Sequence, residues 1–116
     1  MAVDIKPLQS LRLWHATALS MVCAGEPDLS LRQMSILLEI YLEPAPHTVR
    51  GLAAKLEVTK PVITRALDSM GRLGLVNRSR DPADRRNVLV KRTVDGALFV
   101  ERLGDLMVAR AAGLTV

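Results

Sequence analysis

Between Arg78 and Thr93 the chain reads Arg-Ser-Arg-Asp-Pro-Ala-Asp-Arg-Arg-Asn-Val-Leu-Val-Lys-Arg-Thr. Two short strand candidates, Leu75-Val76-Asn77-Arg78 and Asn87-Val88-Leu89-Val90-Lys91, flank a charged turn at Asp81-Pro82. Proline presets the backbone of such a turn, and the β-branched residues beside it favour extended chain. The hairpin carries Arg78, Arg80, Arg85, Arg86, Lys91 and Arg92 against only Asp81 and Asp84. A domain has little structural reason to concentrate charge in this way. A surface that touches DNA phosphates has a good one.

Working outward from the hairpin, the flanking sequence is helical. Upstream, Thr59 is placed to cap a helix that tolerates Pro61 in its first turn and buries Ile63, Ala66, Leu67, Met70 and Leu73, with Gly74 closing it. Before it, Thr48 caps a helix running to about Leu56 with Val49, Leu52, Ala53 and Leu56 inward. Pro44-Ala-Pro46 separates that helix from one capped by Ser30, whose apolar set is Met34, Leu37, Leu38 and Tyr41. A first helix over residues 7–24 places Leu8, Leu11, Trp14 (or His15), Ala18 and Met21 on one stripe. Downstream, Thr93 caps a last helix containing Leu98, Phe99, Val100, Leu103, Leu106 and Met107, ended by Gly113. The expected fold is mainly α with a small β-hairpin: a winged helix-turn-helix of five to six helices plus a wing, one domain over residues 1–116.

The net charge is +4, but its distribution is more telling. Residues 47–93 hold eleven Lys/Arg and four Asp/Glu, a balance of +7; the remainder holds five and eight, a balance of −3. One electropositive face, with a polyanion opposite, follows from that segregation. No apolar run approaches the length of a membrane span, and the N-terminus shows no signal-peptide pattern. The single cysteine, Cys23, excludes an internal disulfide, so a cytoplasmic, nucleoid-associated location is expected.

The helices on either side of Glu57-Val58 are joined by two or three residues, the spacing of a helix-turn-helix whose second helix enters the major groove. Removing the buried stripe of that second helix leaves Thr59, Lys60, Thr64, Arg65, Asp68 and Arg72 exposed. Arg65 is suited to a bidentate pair with guanine. The bland alternative is a solvated face with an Arg65–Asp68 ion pair.

These residues carry a family resemblance. Leu52-Ala53-Ala54-Lys55-Leu56-Glu57-Val58-Thr59, Val62-Ile63-Thr64-Arg65-Ala66-Leu67-Asp68, Gly74-Leu75-Val76, Asp81-Pro82-Ala83-Asp84-Arg85-Arg86 and Thr93-Val94-Asp95-Gly96 follow one another as in MarR-family transcription regulators. The chain from about Ser30 to Leu103 resembles that family. The resemblance implies that Arg86 enters the minor groove, where a narrow A·T-rich stretch attracts a guanidinium. Asp84 matches the family's wing Asp and is read, with Asp81, as a brace that pairs with Arg80 or Arg86. Arg78, Arg80 and Arg85 are then phosphate contacts. Helix-turn-helix and wing occupy residues 48–93, and helices 7–24 and 94–112 are the candidates for dimerisation. Two departures stand out. Glu57 occupies a turn position that wants positive φ, and Arg92 replaces the usual Leu before the Thr.

Other candidates carry less. Cys23, with Met21, Val22 and Ala24 around it, reads as a buried core thiol, and His15 and His47 as packed or capping residues rather than metal ligands. Trp14 reads as core or dimer interface, and Met34, Met70 and Met107 as core filler. No phosphate loop, catalytic triad or carboxylate pair argues for an enzyme, and no cofactor or metal is expected. The three aromatic residues all lie outside the basic segment, against base stacking on single strands. The expected function is a homodimeric regulator, a repressor, that binds double-stranded DNA. An unidentified small-molecule effector is admitted as a further partner, and a module docking an acidic protein is the alternative.

Overall fold

The computed structural model describes residues 3–114. Its elements run α1 (Pro7–Cys23), α2 (Leu31–Leu42), β1 (His47–Thr48), α3 (Val49–Leu56), α4 (Lys60–Arg72), β2 (Val76–Arg80), β3 (Val88–Arg92) and α5 (Val94–Ala111). The described residues divide into two compact units, residues 29–100 and residues 3–28 with 101–114. No helix among them is long and apolar enough to cross a membrane.

The Leu29–Val100 unit is built as its caps dictate. Ser30 accepts the Gln33 N–H at 3.1 Å while the Gln33 side chain accepts the Ser30 N–H at 2.7 Å, a reciprocal capping box on α2. Thr48 accepts the Gly51 N–H at 2.9 Å and starts α3. Glu57 ends α3 in the left-handed region, at φ 57°, as the turn chemistry requires, and Gly74 at φ 76° turns the chain from α4 into β2. Ile36, Leu37 and Ile40 of α2 meet Ile63, Leu67 and Met70 of α4 in a core closed by Leu52, Val76, Val90 and Phe99.

The sheet has three strands in the order β1-β3-β2, all antiparallel. Val76 to Arg80 pair in register with Arg92 to Val88, and His47 and Thr48 pair with Val90 and Leu89. The hairpin expected from sequence is therefore present, with β1 as an added strand. That strand is too short to produce a pattern of its own.

A polar hub joins α2, the wing and α5. The Tyr41 hydroxyl donates to the Leu75 carbonyl at 2.7 Å and accepts the Thr93 N–H at 2.9 Å. Thr93 Oγ1 donates to the Gly74 carbonyl at 2.7 Å and accepts the Gly96 N–H at 2.9 Å, so Thr93 caps α5 as expected. Gly96 is obligatory, because a Cβ there would collide with the Tyr41 hydroxyl and the Leu75 carbonyl.

Several expected burials are corrected. Leu73 is 48% exposed, because α4 stops at Arg72 and Leu73 is its C-cap rather than part of the inward stripe. Cys23 is exposed, being the last residue of α1 before the turn at Gly25. In the other unit, Thr17 is the buried residue of α1, its hydroxyl bonded to the Leu13 carbonyl at 2.8 Å. Leu8, Leu11 and Trp14 remain 60%, 64% and 50% exposed. Apolar residues lie nearly all round α1, more than one neighbour covers. Met70 is core, whereas Met107 is partly open.

Candidate nucleic-acid interface

The helix-turn-helix arises because Glu57 accepts the left-handed conformation, which lets α4 begin after Thr59. Thr59 has the extended backbone of an N-cap, yet its hydroxyl makes no capping bond, contrary to expectation. The cause is local. Pro61 has no N–H to offer, and the Val62 N–H is taken by the Thr59 carbonyl at 3.1 Å. The hydroxyl is thereby left uncommitted to the helix. Lys60, Thr64, Arg65 and Arg72 are exposed along with Thr59. Arg72 donates to Ser69 Oγ at 3.3 Å.

Asp68 does not pair with Arg65. It accepts the Arg78 guanidinium at 2.6 Å, an ion pair that ties the middle of α4 to β2. Asp68 and Arg78 thus meet each other across two elements, and Arg65 is left without an ion pair among the described residues. The same pair fixes where the wing leaves the helix.

At the wing tip, Asp84 pairs with Arg86. Its carboxylate accepts Nε at 3.1 Å, Nη2 at 3.2 Å and the Arg86 N–H at 3.1 Å. The Arg86 guanidinium and then its N–H hold the Asp84 carboxyl below the ordinary value of 3.8, with a smaller contribution from the charge of Arg50 on α3. Arg80 takes another route and donates to the Arg85 carbonyl at 2.8 Å across the turn. Asp81 accepts the Ala83 N–H at 2.9 Å, a side-chain turn closure. The side chain of Arg86 is nevertheless 84% exposed, so the brace orients it without burying it.

Two residues play roles that the sequence did not disclose. Arg92 donates to the Ile40 carbonyl at 2.8 Å and the Glu43 carbonyl at 3.0 Å, and its guanidinium lies 5.7 Å from the Tyr41 ring centre. It therefore caps the C-terminal end of α2, where a cation meets unsatisfied carbonyls. The departure from Leu exchanges an apolar anchor for a polar one. Arg50 of α3 acts on Asp84 through its charge, a relation that depends on the fold.

Similarity to known proteins agrees with this geometry. The chain is 36% identical over 71 residues to the organic hydroperoxide resistance transcriptional regulator of Bacillus subtilis (strain 168), covering 61% of this chain and 48% of that protein. It spans about half the length of the curated relatives it matches. MepR of S. aureus, solved as a DNA complex, superposes with a TM-score of 0.74 at 19% identity, covering 88% of this chain and 81% of that one. CouR, a transcriptional repressor solved on a 23-mer DNA duplex, gives 0.70 at 25% identity, covering 89% and 70%. The MarR family model matches residues 29–88, just over half of the sequence, and the chain belongs to the MarR family.

Proposed function

We propose that the chain is a transcriptional regulator, not an enzyme, that binds double-stranded DNA sequence-specifically as a homodimer and represses. The observation that carries this reading is the Asp68–Arg78 pair, which holds the exposed face of α4 and the basic wing together in one unit. In this reading α4 enters the major groove with Thr59, Lys60, Thr64, Arg65, Asp68 and Arg72. Arg78, Arg80 and Arg85 contact phosphates, and Arg86, braced by Asp84, enters the minor groove. Asp81 shapes the turn.

Dimerisation is supported by exposed apolar side chains in the unit that holds α1. Leu8, Leu11, Trp14, Leu19, Val22 and Val108 are each at least half exposed, more than a monomer comfortably leaves in water. Two copies would read half-sites about one helical turn apart. A bound dimer blocks polymerase without further machinery. The setting is the cytoplasm, at the nucleoid, and the family reading admits a small-molecule effector.

Genomic footprinting with the native protein, followed by titration of the recovered site, tests this reading. Protected half-sites about one turn apart are expected, and Arg86→Ala should bind much more weakly with its circular dichroism unchanged. Absence of duplex binding at low salt, even to mixed genomic fragments, overturns the DNA assignment; wild-type affinity in Arg86→Ala overturns the minor-groove role.

A further inference from the structure

We infer that a groove between the first turn of α2 and the flank of α4 holds the DNA phosphodiester strand that runs beside the major groove, with Arg32 as its phosphate contact. This inference rests on the DNA-binding reading above. The groove encloses about 310 Å³, and its walls are Ser30, Arg32 and Gln33 on one side and Val62, Arg65 and Ser69 on the other. No carboxylate lines it.

Its two arginines flank the exposed face of α4 and are uncompensated. Arg78 and Arg86 each have a carboxylate partner, and Arg92 is bound to two backbone carbonyls. The guanidinium groups of Arg32 and Arg65 have no hydrogen bond or ion pair among the described residues. Two uncompensated guanidinium groups on facing walls focus positive potential between them. Planar guanidinium forks match phosphate oxygens in both geometry and charge.

The register of α4 fixes where the strand runs. Val62, Arg65 and Ser69 recur at three and four residues, so one flank of the helix faces α2. When Arg65 reaches a base edge in the major groove, the backbone bordering that groove falls on the α2 side, where Arg32 stands. The wall is rigid there, because the reciprocal Ser30–Gln33 bonds hold the first turn of α2. Arg32 therefore positions the protein on the duplex, whereas Arg65 reads sequence. The sequence concealed this role, since Arg32 lies far from the basic segment along the chain.

The test is a salt titration of binding to sheared mixed genomic duplex DNA. Arg32→Gln should lower the slope of log K against log salt by about 0.9 for each bound copy, a roughly eightfold weakening per copy at 0.1 M salt. Lys6→Gln, which removes one charge in the other unit and outside the candidate dimerisation helices, should leave the slope alone. If wild type binds and Arg32→Gln keeps the wild-type slope, the groove assignment falls and the DNA reading stands. An equal loss of slope in Lys6→Gln reduces the effect to net charge and also overturns the assignment. Inorganic phosphate at matched ionic strength should not displace the duplex. Displacement from wild type but not from Arg32→Gln would make this a site for a free anion and sink the proposal. If wild type binds no duplex, both readings fail together.

Discussion

Replacing Gly96 with alanine should destabilise the protein, although the same exchange inside an ordinary helix gains about 1 kcal/mol. The sign reverses because of what faces the position. An added Cβ would collide with the Tyr41 hydroxyl and the Leu75 carbonyl, one of them backbone and neither free to withdraw. Overpacking of this kind costs about 1–3 kcal/mol. Displacing the hydroxyl also breaks its bonds to the Leu75 carbonyl at 2.7 Å and the Thr93 N–H at 2.9 Å, each contributing about 1 kcal/mol. Set against the helix gain, the net loss is about 2–4 kcal/mol. Urea unfolding followed by far-UV circular dichroism measures it. A double-mutant cycle with Tyr41→Phe localises the cause. Phenylalanine removes the hydroxyl from the collision, so Gly96→Ala should cost at least about 1 kcal/mol less in that background. A Gly96→Ala protein as stable as wild type would refute the steric reasoning, and an identical cost in both backgrounds would refute the hydroxyl's share in it, leaving the Leu75 carbonyl as the collision.

Three further outcomes are expected. Arg92→Leu, which restores the residue usual in the family, should lower stability by about 1–3 kcal/mol in the same unfolding assay, because two carbonyls at the end of α2 lose a charged donor; Arg92→Lys, lacking the fork, should recover only part. Glu57→Gly should raise the unfolding midpoint by about 0.5–1 kcal/mol in stability, since glycine removes the left-handed penalty at φ 57° while adding some unfolded-chain entropy. The Asp84 carboxyl, followed by NMR titration, should protonate below 3.8, and Arg86→Gln should move its midpoint upward. Because the folded value is the lower one, the contribution of this brace is fully present above 3.8 and is lost as pH falls through the folded value.

The strongest local signals were legible in the sequence. Ser30, Thr48 and Thr93 cap the helices they announce, and Glu57 takes the positive φ that its place in the turn demands. The wing pattern located both strands within two residues. Side-chain partnerships were less readable, because they depend on which elements meet. Asp68 has Arg65 as its neighbour along the helix, yet pairs with Arg78 from a strand ten residues on. Arg92 counted toward the wing's charge and serves the end of α2. Apolar periodicity misled at Leu8, Leu11 and Leu73, since a stripe states that a face is hydrophobic without stating that a neighbour covers it. Thr59 fails as a cap for a reason present in the sequence, the proline two positions on, which has no N–H to offer.

The pairing inside the wing also sorts its cations by when they act. Arg80, Arg85 and Lys91 have no carboxylate partner among the described residues, so their field reaches outward and acts on the approach of a polyanion. Arg78 and Arg86 arrive already neutralised by Asp68 and Asp84. They contribute little at a distance and engage only by exchanging a carboxylate for another acceptor at contact. In the proposed DNA complex the first group would govern how fast complexes form, and the second how long they last.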